Sequence, residues 1–182
     1  DPSALEAITV FYPGKEGTKV PMTIVAKKGL AREGHNPTLL TAYGGGGISS
    51  RPEFVPSMIA WIERGGVYAV AHVRGGGEYG ERWHQAATRA RRQVGIDDFL
   101  AAGEWLVANG YTSVQRLGAL GTSAGGTLVA AAAVQRPGRF GAIAPIAGVH
   151  DLLRFPLFGE GAGWQDELGS PHDPQEFQAL YA

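Results

Sequence analysis

The chain has no cysteine. That excludes a disulfide framework, a thiolate nucleophile and a Cys-based metal site, and it leaves cytoplasm and periplasm equally open as compartments. An excess of one charge is also missing: 16 Lys and Arg stand against 17 Asp and Glu, a formal net charge of −1. With no long basic or acidic run, neither nucleic acid nor an anionic membrane surface is expected as the main partner. No apolar run approaches the ~18 residues that would suggest a membrane-spanning helix, and the opening Asp1-Pro2-Ser3 is no signal peptide. No period marks an internal repeat. No histidine pair has metal-ligand spacing such as H-x-x-x-H, so no metal is expected.

Glycine is abundant, at 28 of 182 residues, about twice the usual ~7%. The excess clusters at 44–47, 75–77 and 121–126, so it marks tight loops. The length suits one domain with a proper core.

The most informative stretch is Gly121-Thr122-Ser123-Ala124-Gly125-Gly126. It has the G-x-S-x-G pattern of a nucleophile elbow, a sharp strand-to-helix turn that lifts a serine hydroxyl out of the fold. The apolar run 116–120 ahead of it suits a buried parallel strand. The alanine-rich run 127–134 behind it suits a helix that stops at Arg136-Pro137-Gly138.

The rest of the chain alternates in the same way. Runs 8–12 and 20–26 predict a hairpin across Pro13-Gly14-Lys15-Glu16-Gly17, and 38–43 predicts a central strand that stops at four glycines. A helix is expected over 53–63, with Phe54, Met58, Trp61 and Ile62 at helical spacing. A buried strand follows at 67–73, then a long loop at 74–95 and a helix over 97–109 that ends at Gly110. Another strand is expected at 141–147. Residues 152–158 read as a helix start or an irregular lid, and 174–182 as a helix. The expected fold is α/β: a mostly parallel sheet with helices on both faces, an antiparallel leading hairpin, and a site at the carboxyl ends of the strands. Tyr43, Ser123 and Val149 lie at or just past such ends. This is the α/β-hydrolase arrangement.

Several stretches together resemble the prolyl oligopeptidase family of serine peptidases, relatives of oligopeptidase B and the dipeptidyl peptidases. They are Phe11-Tyr12-Pro13, Tyr43-Gly44-Gly45, the run 65–71, Arg74-Gly75-Gly76-Gly77-Glu78-Tyr79-Gly80, Trp83-His84, Asp97-Asp98-Phe99, Asn109-Gly110-Tyr111-Thr112-Ser113 and Gln135-Arg136-Pro137. The resemblance implies a Ser123 acyl-enzyme and hydrolysis of small peptides after proline, with no cofactor. It implies that the Ala124 backbone N–H and the Tyr43 hydroxyl form the oxyanion hole, and that Trp164 and Val149 hold the substrate proline.

The sequence departs from the family in three ways. Ala124 replaces an asparagine, which leaves the backbone donor intact. Gly46 replaces a phenylalanine and Leu168 a tyrosine of the proline pocket, which loosens it. Asp166 and Glu167 lie close to where oligopeptidase B carries acids for basic side chains. The third departure is that the family's Asp and His are expected on later strand ends, past Ala182.

Residues 1–182 therefore read as the N-terminal two-thirds or so of a peptidase domain, truncated before the last strands and lacking the family's β-propeller. None of His35, His72, His84, His150 and His172 is expected to replace the missing base, so the chain alone is expected to be nearly inactive. Gly75-Gly76-Gly77 lacks the G-x-x-x-x-G-K-[ST] pattern of a phosphate loop. Two other readings stay open: an esterase or other acyl hydrolase on the same fold, and an inactive truncated remnant. An uncovered sheet edge would favour self-association or pairing with the C-terminal part.

Overall fold

The computed structural model describes residues 2–51, 53 and 55–181. Phe54, placed by its spacing at the start of the first helix, lies outside the described residues. Among the described residues, six strands form one sheet: β1 (Leu5–Pro13), β2 (Lys19–Lys27), β3 (Thr38–Thr41), β4 (Val67–Ala71), β5 (Leu117–Thr122) and β6 (Ala142–Ile146). Their spatial order is β1-β2-β4-β3-β5-β6. The hairpin β1–β2 is antiparallel and joins β4 antiparallel, whereas β4, β3, β5 and β6 run parallel. The expected α/β arrangement, mostly parallel with an antiparallel leading hairpin, is what the chain adopts.

Among the described residues, six α-helices accompany the sheet: α1 (Pro56–Glu63), α2 (Glu81–Gln85), α3 (Gln93–Ala108), α4 (Ala124–Gln135), α5 (Gln165–Leu168) and α6 (Pro174–Tyr181). On one face, Phe99, Ala102 and Leu106 of α3 and Leu128, Val129 and Ala132 of α4 pack on Leu40, Val67, Ala69, Leu117 and Ala119 of the strands. These strand residues alternate with half-buried neighbours such as Leu39 and Tyr68, the period-2 pattern of a pleated strand. α1 packs on β2 and β4, and its buried Ile62 lies outside that core. The sheet therefore carries helices on both faces.

Two helix starts carry glycine for one reason. α3 starts at Gln93, not Asp97, and α4 starts at Ala124, directly after the elbow. Both early turns contain glycine, a poor helix former. Both need it, because the helix start presses on another backbone. A Cβ on Gly95 would stand 2.8 Å from the Arg74 carbonyl oxygen, and one on Gly125 would stand 2.3 Å from that of Ala42. The loop 74–95 is also more ordered than expected, holding α2 and a 3₁₀ turn at Arg89–Arg91. It is anchored by Arg74, whose side chain is 10% exposed beside a fully buried Asp98. The Arg74 backbone N–H and Nε donate to Asp98 Oδ2 at 3.1 and 2.8 Å, and Nη2 donates to Oδ1 at 2.7 Å.

Candidate active site

β5 delivers Ser123 at its carboxyl end with φ 56° and ψ −121°. This left-handed, strained setting is one that a non-glycine residue rarely adopts and that clusters at functional sites. The neighbouring glycines make it possible: a Cβ on Gly121 would stand 2.0 Å from the Gly125 carbonyl oxygen, and one on Gly126 2.6 Å from that of Ile146. The elbow is pinned by the Ser123 N–H, which donates to the Ile146 carbonyl at 2.9 Å. Ser123 itself is half-buried, so its hydroxyl is not sealed in the core.

Ala124 is the first residue of α4. Its N–H has no carbonyl to bond within the helix and lies at the positive end of the helix dipole, which suits it to receive an anion. The loop after β3 runs directly over this helix start. A Cβ on Gly45 would stand 2.8 Å from the Ala124 Cβ, and the Tyr43 Cα is 3.4 Å from where a Gly125 Cβ would be. The fold thus brings the segments of Tyr43, Ser123 and Ala124 to one place.

Val149 and Trp164 also come together. Both line an open cleft of ~310 Å³ with His150, Asp151, Phe155, Phe158, Glu160 and Gly161. The Val149 N–H donates to Thr127 Oγ1 in the first turns of α4 at 2.8 Å, which ties this wall to the elbow helix. Sequence reasoning missed Phe155 and Phe158; apolar residues in an irregular stretch carry no periodic signal. Leu168 is only 3% exposed and faces the interior, so it does not line the cleft.

His84 and His72 are held by other partners. His84 Nε2 is 2.8 Å from Glu167 Oε2, and Arg92 Nη1 donates to Glu167 Oε1 at 3.4 Å. Burial pushes the Arg92 guanidinium down from its ordinary value, against the pull of Glu167. Glu167 is thus already paired with His84 and Arg92, and the fully exposed Asp166 lies 3.9 Å from Arg89. Among the described residues, no group of three or more His, Asp or Glu side chains could hold a metal ion. Among them, too, no helix is long and apolar enough to cross a membrane.

His72 Nε2 is 2.9 Å from Thr23 Oγ1, and its Nδ1 is 3.6 Å from Glu78 Oε1. Burial alone would raise the Glu78 carboxyl, but the His72 ring and the Ser50 N–H outweigh it and hold the group below the usual carboxylate range. A carboxyl lowered in the folded state stabilises the protein above its unfolded value, and that stability is lost as pH falls through the folded value. Melting temperature measured between about pH 6 and pH 3 is accordingly expected to fall less steeply in Glu78→Gln than in the parent.

The prolyl oligopeptidase family model matches residues 52–182. The chain is 47% identical to a prolyl endopeptidase of Elizabethkingia meningoseptica over 167 residues, 92% of this chain and 24% of that protein. It superimposes on prolyl oligopeptidase B from Galerina marginata with a TM-score of 0.96 at 40% identity, covering 100% of this chain and 26% of that one. A post-proline cleaving enzyme from Rickettsia typhi gives a TM-score of 0.96 at 38% identity, covering 99% and 26%. The chain spans about a quarter of the length of these relatives.

Proposed function

The chain belongs to the prolyl oligopeptidase family, and on that premise we propose that the complete protein is a serine peptidase that cleaves small peptides after proline through a Ser123 acyl-enzyme. The observation that carries the reading is the strained elbow of Ser123 under the Tyr43–Gly45 loop. Ser123 Oγ attacks the scissile carbonyl, and the oxyanion that forms is met by the Ala124 N–H and the Tyr43 hydroxyl. The C–N bond breaks, the amine leaves with a proton, and water then releases the acyl group. Val149 and Trp164, with Phe155 and Phe158 beside them, offer an apolar seat for the proline ring.

The proton acceptor comes from a histidine outside residues 1–182. What supports this is that His72 and His84 are committed to Thr23 and Glu167, and that no hydrogen bond joins a histidine to Ser123 among the described residues.

Tyr43→Phe in the complete protein tests the site. Losing one oxyanion donor is expected to cut kcat by about 10²–10³, read with a proline-containing peptide amide. Unchanged turnover removes Tyr43 from the site. Comparing the amide with an activated ester separates a peptidase from an esterase on the same fold.

The exposed edge of β6 supports a second part of the proposal, that this chain pairs with the C-terminal part of the complete protein or with itself. Among the described residues β6 bonds to a neighbour on one side only, and Ile143 and Ile146 on it are 48% and 49% exposed. Such an edge is a template for another strand. Residues 1–182 alone are expected to sediment as dimers or larger species in analytical ultracentrifugation, and a monomer at all concentrations counts against the pairing.

A further inference from the structure

The Gly44–Gly47 loop has little stiffness of its own. Gly44, Gly46 and Gly47 have φ of +61°, +59° and +62°, a region that suits glycine, whose freedom in the unfolded chain is the largest to lose. The loop is therefore held from outside. On one side it rests on the 75–77 loop. The Gly47 N–H donates to the Gly75 carbonyl at 3.2 Å, and a Cβ on Gly77 would stand 2.1 Å from the Gly47 carbonyl oxygen.

The other side faces two polar side chains from distant elements. A Cβ on Gly47 would stand 3.4 Å from the His84 ring, and one on Gly45 would stand 3.5 Å from Glu167 Oε1. His84 and Glu167 meet at 2.8 Å, and Arg92 closes on the second carboxylate oxygen at 3.4 Å. The side chains of His84, Glu167 and Arg92 are 21%, 22% and 14% exposed. Charged contacts in such partly dry surroundings are worth more than at an open surface. Glu167 lies on α5, directly after the turn Gly161–Trp164.

We propose that His84, Glu167 and Arg92 form a clamp that positions the Gly44–Gly47 loop, and with it Tyr43, over Ala124, and that ties this loop to the Trp164 wall of the cleft. The clamp rests on the reading of Tyr43 as an oxyanion donor. The three are positioning residues: they hold backbone and do not touch the reacting atoms. A peptide ring seated against Trp164 steadies α5, and through Glu167 the same contact steadies the donor loop, so filling the cleft and aligning the oxyanion hole are one event.

The test uses the complete protein. Glu167→Ala and His84→Ala are each expected to raise hydrogen exchange at the Gly47 and Ile48 amides by ~10-fold or more, with β5 and α4 unchanged. Tyr43→Phe is expected to cost ~100-fold in kcat/KM in the parent, but under ~10-fold in the Glu167→Ala background, because a donor already displaced has little left to lose. Unchanged exchange at Gly47 and Ile48, or equal costs in the two backgrounds, overturns the clamp. A silent Tyr43→Phe in the parent instead removes the oxyanion reading, and the exchange result then decides the clamp. If Glu167→Ala raises exchange throughout β5 and α4, the equal-volume Glu167→Gln replaces it, with the same two readouts and the same expectations.

Discussion

Ser123→Ala in the complete protein is expected to lower kcat by on the order of 10⁶, leaving only the rate that binding and the oxyanion hole supply. The size follows from what the hydroxyl does: it is the atom that bonds to the substrate carbonyl, and no neighbour can replace it. Thr122 precedes it with its own hydroxyl, but on β5 and without the φ of 56° that turns Ser123 out of the strand. A fluorophosphonate reports on the same atom without needing turnover. Intact-mass analysis should show one adduct on Ser123 in the complete protein and none in Ser123→Ala. Residues 1–182 alone should react about 10²-fold or more slowly, since a positioned general base contributes ~10²–10⁴ to such a step. Equal labelling of the two would mean that a base already lies within these residues.

Asp98→Ala is expected to destabilise the protein by about 3–5 kcal/mol, the cost of leaving a buried charge without its partner. Asp98 is fully buried and accepts three hydrogen bonds from Arg74, two of them from the guanidinium. Its removal strands the guanidinium beside the buried Tyr12 hydroxyl, which itself has no hydrogen-bond partner among the described residues. A loss of that size corresponds to a fall in melting temperature on the order of 10 °C. The exposed pair Arg139–Glu104, with side chains 51% and 58% exposed, makes the contrast. There solvent screens the attraction and Glu104→Ala should cost under ~1 kcal/mol. Comparable losses in the two variants would show that burial does not set the strength of the Arg74–Asp98 pair.

Much of this was legible from residue order. Strand, elbow and helix around Ser123 are local, and the period of each apolar run reports which face it buries. The alternation of strands and helices implied the parallel sheet and placed Tyr43, Ser123 and Val149 at its carboxyl ends. Glycine misled at the start of α3, because propensity counts what Gly95 costs a free helix but not the Arg74 carbonyl that leaves no room for a Cβ. The same blindness applied to Glu167. In sequence it was an acid available to a basic substrate, whereas in the fold it is spent on His84 and Arg92.

The sequence by itself therefore determined the class of fold, the turn that presents Ser123, and the absence of any cysteine-based chemistry. All three are set by neighbours in the chain or by composition. Only the tertiary structure decided that Gly45 lies over Ala124, that Phe155 and Phe158 wall the cleft beside Trp164, and that His84 meets a carboxylate 83 residues away. Those contacts join segments with no shared period. They exist because the sheet order carries each loop to the same edge, and packing, not local preference, sets where they meet.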